Sequence, residues 1–172
     1  YTTAEGGMLV HRTDITERKM AEDALKASEA RFRDYGTISS DWFWEMDENL
    51  KFSYFSDNLT EITGLVPEGL LGKTRQESGL DMSNRHVRQN IEDIEARRPF
   101  KYFEHSRTLD DGRVVYISSA GLPIFDANGE FQGYRGTGRD ITESKLAILA
   151  LEQARGEAEL ANRAKSEFLS SM

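Results

Sequence analysis

The 172-residue sequence contains no cysteine. Disulfides, thiolate metal sites, cysteine nucleophiles and flavin–cysteinyl photochemistry are therefore excluded within this chain. Long apolar segments are also missing: the longest apolar run, residues 146–151, is far shorter than the roughly 20 residues that a membrane-spanning helix needs. No signal-peptide pattern is present. We expect a cytoplasmic segment without direct membrane contact, excerpted from a longer protein whose membrane anchor, if it has one, lies outside residues 1–172.

Positive charge is in deficit, with 22 Lys and Arg against 30 Asp and Glu, a net charge of -8 and a pI near 5.0. Such a chain lacks the basic field that displaces counterions from phosphates, so we expect no nucleic-acid partner. Hydrophobic residues make up 38% of the sequence, enough to build the core of one domain. The 30% of charged residues and the mean hydropathy of -0.61 indicate long solvent-exposed helices in addition.

One motif occurs twice, as RTDITERK at residues 12–19 and as GRDITESK at residues 138–145. Each copy follows a β-like stretch, residues 8–10 and 131–137, and precedes a helical pattern. An aspartate followed three residues later by glutamate resembles a capping box. The motif therefore predicts two strand-to-helix junctions, each capped by its aspartate, about one domain and one linker apart.

Both junctions lead into amphipathic helices with small and apolar residues at alternating spacings of four and three. This spacing is typical of a two-stranded coiled coil, and we expect a homodimer through these helices. For the first helix, packing on its own domain is an alternative. The residues expected at the dimer seams are Leu25, Phe32, Leu151, Ala154, Ala158 and Ala161.

The region between the helices alternates short strands and short helices. Apolar alternation predicts a hairpin from residue 42 to 54, then short helical pieces, and a longer helix with Val87, Ile91 and Ile94. Three more strands follow, at about residues 100–109, 113–124 and 131–139. The fold class is therefore α+β, an antiparallel sheet with helices on one face.

The order of these elements resembles the PAS domain family. The resemblance covers residues 36–143 and is carried by segment 64–73 (GLVPEGLLGK), hairpin 107–113 (RTLDDGR) and the terminal DIT at residues 140–142. It implies a five-stranded sheet with a pocket between sheet and helices. The implied organisation is the end of a preceding PAS-like domain and its junction (1–17), a linker helix (18–36), the sensory domain (37–143) and a signalling helix (144–172).

Residues 161–172 resemble the run that enters the dimerisation and phosphotransfer helix of sensor histidine kinases, just before the phosphoacceptor histidine. The fragment carries neither that histidine nor ATP-binding motifs, so we expect it not to be an enzyme. The resemblance implies a parent protein-histidine kinase whose partners are a kinase core and a response regulator. Asp140, Ile141 and Thr142 are the expected signal relay.

The resemblance also implies a pocket, for which the sequence suggests a small-molecule ligand without naming it. The candidate lining residues are Trp44, Phe52, His86, Ile91, Phe103 and Ile117. Haem-binding PAS domains carry a proximal histidine on the helix that includes His86, but an isolated histidine on a polar helix is usually a surface residue, which argues against haem. His11 and His105 have no partner at metal-ligand spacing and are expected at the surface; no metal site is predicted.

Three alternatives to a kinase sensor stay open. The domain could be a ligand-free dimerisation spacer, a haem-binding gas or redox sensor, or the input for another effector such as a cyclase. A small hydrolase or isomerase lacks any convergent acid–base pair. The glycines between residues 133 and 138 do not form a nucleotide-binding fingerprint and are expected to permit close backbone approach in a strand.

Overall fold

The computed structural model describes residues 6–172, except for the side chains of residues 6–14, 32, 33 and 37. The chain divides into two compact units, one that ends at Ser39 and one from Ser40 to Met172. Each unit is described separately below.

The first unit is a single helix, α1, from Gly6 to Ser39. The expected β-like stretch at residues 8–10 is therefore wrong, and Asp14 lies inside the helix rather than capping it. A lone strand leaves its backbone N–H and C=O groups unpaired, whereas a helix pairs them within the segment. Whether this segment belongs to a preceding domain stays a prediction.

The second unit contains a five-stranded antiparallel sheet in the order β2-β1-β5-β4-β3. The predicted fold class, α+β, is confirmed. The last three strands lie within one residue of their expected bounds at each end. The strands are β1 (Asp41–Met46), β2 (Phe52–Phe55), β3 (Phe100–Thr108), β4 (Val114–Phe125) and β5 (Phe131–Asp140).

Helical segments connect β2 to β3 and follow β5. They are α2 (Leu59–Thr63), a short 3-10 helix (Pro67–Gly69), α3 (Arg85–Glu95) and α4 (Thr142–Ser170). Gly64 ends α2 in the left-handed conformation, at φ 79°, which explains why glycine occupies this position. Among the described residues, no helix is both long and apolar enough to span a bilayer.

The centre of the sheet is packed by two tryptophans of β1 against glycines of β5. Trp44 lies opposite Gly136 and Trp42 opposite Gly138. A Cβ atom at either glycine would overlap the indole ring of the facing tryptophan. The expectation that these glycines allow close approach is confirmed, and it explains how a five-stranded sheet holds both indoles on its buried face.

Candidate functional site

A small cavity of about 30 Å³ lies between the sheet and the segments that follow β2. This volume holds about two water molecules. Its apolar wall includes Trp44, Phe52, Leu59, Leu70 and Ile117, and its polar groups are Arg75, His105, Arg107 and Ser119.

Arg75 carries a positive charge into this apolar setting, since only 5% of its surface is exposed. Its guanidinium carbon lies 5.0 Å from the ring centre of Trp44, 5.1 Å from Phe103, 5.3 Å from Phe100 and 5.7 Å from Phe52. Cation–π attraction to these rings offsets part of the cost of burial. Its Nε is buried without a hydrogen-bond partner. Burial, and then the charge of Arg107, lowers the pKa of Arg75 to about 9.

Arg107 extends from β3 toward the loop before α3. Its guanidinium donates hydrogen bonds to the carbonyl oxygen of Ser78 and, at 2.8 Å, to Ser78 Oγ. Burial lowers the pKa of Arg107 to about 10. The side chain therefore anchors the loop while adding a second positive charge beside the cavity.

His105 also lies on β3 and is 9% exposed. Its ring stacks on Phe103, with the ring centres 4.8 Å apart, and its Nδ1 is buried without a partner. Burial, followed by the charges of Arg75 and Arg107, lowers the pKa of His105 well below its usual value, and a hydrogen bond with the Phe103 backbone opposes this shift only in part. The imidazole is therefore neutral at neutral pH and retains an unused hydrogen-bonding position.

Among the residues whose side chains the structure describes, no acidic group forms an ion pair with Arg75, His105 or Arg107. Buried charges in proteins are normally paired or bind an ion. The cavity is thus an electropositive site with two buried polar atoms that lack partners.

The junction between β5 and α4 is tied to the neighbouring strand by hydrogen bonds. The Asp140 carboxylate accepts hydrogen bonds from the backbone N–H and the hydroxyl of Thr142, at 2.8 Å and 2.5 Å. Thr142 Oγ1 in turn accepts the backbone N–H of Tyr116 at 2.9 Å, and the N–H of Ile141 donates to the Tyr116 carbonyl at 2.9 Å. The first turn of α4 is therefore fixed to β4.

This geometry corrects one detail of the predicted cap. Ile141 occupies the N-cap position, and Asp140 reaches the amide of Thr142 from one residue earlier. Within the described part of the chain, Glu143 makes no return hydrogen bond to close a capping box. The backbone N–H of Asp140 belongs to the β5 strand, which leaves the helix start one residue later than expected.

The cavity and the junction share one row of the sheet. His105 of β3 pairs with Ile117 of β4, and Ile117 pairs with Asp140 of β5. Both His105 and Ile117 line the cavity. A second tie joins α4 to β3, where Lys145 Nζ lies 3.0 Å from Glu104 Oε2. A displacement of β3 or β4 at the cavity would therefore act on the start of α4.

The structure brings only part of the predicted pocket set together. Trp44, Phe52 and Ile117 line the cavity. Phe103 and Ile91 are buried in the core without lining it, although Phe103 contacts both Arg75 and His105. The placement of His86 at the pocket edge is wrong.

His86 is exposed at the start of α3, where its backbone N–H is capped by Asn84. The residues present do not fit haem, because the candidate axial ligand faces solvent and the cavity holds only about two water molecules. Among residues 15–172, no group of three or more His, Asp or Glu side chains could hold a metal ion.

Sequence reasoning missed the charged part of the site. No sequence pattern marks Arg75 as a site residue, and His105, predicted at the surface, is buried. Strand alternation could have identified His105 and Arg107, since both share one face of β3 with the apolar residue Phe103. Arg75 lies in a loop, where no periodicity reports burial.

The predicted dimer seam is exposed in the single chain. Leu25 is 60% exposed and Leu151 is 71% exposed, and α4 has no buried residue. The remaining α4 seam positions, Ala154, Ala158 and Ala161, are also exposed. The side chain of Phe32 lies outside the described residues. Dimerisation itself stays a prediction.

Two known sensor proteins are similar in sequence to this chain. The virulence sensor protein BvgS of Bordetella pertussis is 28% identical over 165 residues, which is 94% of this chain but 13% of that protein. The C4-dicarboxylate transport sensor protein DctS of Rhodobacter capsulatus is 25% identical over 142 residues, 81% of this chain and 22% of that protein. This chain therefore spans less than a quarter of either relative.

A solved structure, the sensory box histidine kinase/response regulator of Burkholderia thailandensis E264, has the same fold. It matches with a TM-score of 0.57 and 20% identity, over 75% of this chain and 98% of the solved chain. The sequence profile described as PAS fold matches residues 39–141, more than half of the sequence. The five-stranded sheet and this match together show that the chain belongs to the PAS fold family and is a sensory module of the kind found in signalling proteins.

Proposed function

We propose that this chain is the PAS sensory module of a two-component sensor histidine kinase. In this proposal the core perceives or relays a signal and transmits it through a dimeric α4 to a kinase core, which then phosphorylates a response regulator. The fragment itself performs no catalysis; the parent protein is the protein-histidine kinase.

The observation that carries the proposal is the hydrogen-bonded junction of residues 140–142. Asp140 and Thr142 hold the first turn of α4 against Tyr116, which is adjacent in the chain to the cavity residue Ile117. Packed strands joined by hydrogen bonds transmit a displacement better than a flexible loop does, because one strand cannot shift without moving the groups bonded to it. The arrangement supports a direct mechanical connection between the core and the output helix.

The surface of α4 supports the dimeric part of the proposal. A 29-residue helix is about 44 Å long. Leu151 is 71% exposed and Phe168 is 65% exposed, and both fit the same alternation of three and four residues as Ala154, Ala158 and Ala161. Apolar residues exposed at coiled-coil spacing favour pairing with a second copy. The sensor names of the two curated relatives and the resemblance of residues 161–172 to a kinase dimerisation helix favour a kinase as the effector.

Light scattering and autophosphorylation test the proposal together. We expect Leu151→Lys to convert a dimer into a monomer, since burial of each leucine at a seam contributes about 1.5–3 kcal/mol. The same substitution should abolish autophosphorylation in the parent protein. Gln153→Lys is the matched control, because it places the same charge on α4 outside the seam. A monomeric wild-type chain, or equal effects of both substitutions, would contradict the proposed dimeric transmission.

A further inference from the structure

The cavity has a charge that its own residues do not balance. Only 5% of the surface of Arg75 and 9% of that of His105 is exposed. Each has a buried side-chain nitrogen without a hydrogen-bond partner, Nε of Arg75 and Nδ1 of His105. Unpaired groups of this kind are rare in folded proteins, because each forfeits the hydrogen bonds it made in water. Two of them facing one cavity indicate a missing hydrogen-bonding partner.

The charge of the site identifies the kind of partner. A cation is excluded by repulsion from Arg75 and Arg107, and a neutral molecule would leave their charge uncompensated. Arg107 already donates to both oxygens of Ser78, so its guanidinium is committed to the loop. Arg75 is the remaining guanidinium, with the neutral His105 beside it as a second hydrogen-bonding group. One free guanidinium matches one singly charged acceptor.

The size and the walls of the cavity narrow the partner further. A volume of about 30 Å³ holds roughly two water molecules, which is close to the size of a formate or acetate ion. Planar guanidinium groups bind carboxylates through two parallel hydrogen bonds. Trp44, Phe52 and Ile117 supply apolar surface in the same cavity, suited to a methyl group.

We infer that this cavity binds a small monocarboxylate of one or two carbons, with its carboxylate on Arg75 and His105 and any methyl group against Trp44, Phe52 and Ile117. The inference rests on the proposed sensory function and gives that function a ligand class. Binding would compensate the buried charge beside the His105–Ile117–Asp140 row. The ligand would thus stabilise one arrangement of β3 and β4, the strands to which α4 is tied.

Thermal unfolding of the 172-residue chain tests the inference. The chain is titrated with sodium formate and sodium acetate at constant ionic strength, with chloride, sulfate and acetamide as reference solutes. We expect a saturable rise of the midpoint with the monocarboxylates, of about 5–10 °C at a hundred-fold excess over Kd. Arg75→Met should abolish the rise, whereas Arg155→Met, which removes an exposed arginine of α4, should retain it.

Three results would overturn the inference. One is the absence of a midpoint shift with any monocarboxylate. Another is an equal shift with chloride and sulfate that persists in Arg75→Met, which would show a bulk salt effect. The third is an equal shift with acetamide, which would show binding by the apolar wall alone.

A second measurement uses only the wild-type chain, in case Arg75→Met fails to fold. In ¹⁵N-edited NMR spectra, the Arg75 Nε–H resonance should shift saturably with acetate and remain unchanged with acetamide. An unchanged resonance would refute carboxylate binding. If acetate does not bind but Asp140→Ala still uncouples kinase output, monocarboxylate binding is refuted and the proposed relay through residues 140–142 is supported. If acetate binds without altering autophosphorylation, the sensory role falls instead.

Discussion

Removing the Asp140 carboxylate should weaken the connection between the sheet and α4 without unfolding the core. Asp140→Ala removes the acceptor for the backbone N–H and the hydroxyl of Thr142. Loss of a side-chain acceptor at a helix start costs about 1–2 kcal/mol. Because the residue is half-buried at the end of the central strand β5, water can replace part of this interaction. We therefore expect a loss of about 1 kcal/mol, which lowers the thermal midpoint by about 2–4 °C for a chain of this size.

Hydrogen exchange locates the effect. In Asp140→Ala we expect faster exchange at the amides of Tyr116, Ile141 and Thr142, all of which lie in the junction network. Asp126→Ala is the matched control: its carboxylate accepts the N–H groups of Asn128 and Glu130 in the β4–β5 turn. That variant should lose a similar free energy of unfolding.

The two variants separate local coupling from general destabilisation. Asp126→Ala should leave exchange at residues 141 and 142 unchanged. The reasoning would be refuted if both variants accelerated exchange at the junction equally, because the loss would then reflect global stability. Unchanged exchange in Asp140→Ala would refute it as well, since the carboxylate would contribute nothing to the start of α4.

Three further changes test the packing and electrostatics of the core. Gly138→Ala should unfold the chain or lower its free energy of unfolding by several kcal/mol, because the added Cβ overlaps Trp42. Gly156→Ala lies in open space on α4 and should raise the free energy of unfolding by about 0.5–1 kcal/mol. Urea denaturation measures both changes. By the same assay Arg75→Met should raise the free energy of unfolding by about 1–3 kcal/mol, because an unpaired buried charge is replaced by an apolar side chain; a loss would contradict this. The pKa of His105 is lowered in the folded chain, so below pH 6.5 the unfolded chain binds a proton at His105 that the folded chain does not. The free energy of unfolding should therefore decrease as the pH is lowered below 6.5, by up to about 1.4 kcal/mol per pH unit. His105→Gln should flatten this slope, with exposed His86→Gln as control; equal slopes in both would contradict it.

The strands and the main helix could be predicted from the sequence because local signals agreed with the final fold. Apolar alternation in β1 and the spacing of Val87, Ile91 and Ile94 in α3 each indicated a buried face. The turn residues around Gly112 and Gly129 indicated where the last three strands end. Close approach at the β5 glycines could be predicted as well, but the pairing of Trp42 and Trp44 with these glycines could not. The N-terminal strand was not, because a β-like composition forms a strand only where another strand pairs with it.

The charged pocket could not be predicted for a different reason. Burial of Arg75 depends on four rings, from β1, β2 and β3, that converge only in the folded sheet. No local pattern reports such a convergence, and average behaviour places arginine and histidine at the surface. The candidate His86 followed a family pattern on α3, yet the polar surroundings of that helix start favoured solvent exposure.

The central claim is that the junction couples the core to an output helix, and signal-dependent autophosphorylation of the parent protein tests it most directly. The account predicts that Asp140→Ala fixes autophosphorylation at one level regardless of signal, while Asp126→Ala responds as the wild type does. A normal response in Asp140→Ala, or equal loss of response in both variants, would contradict it.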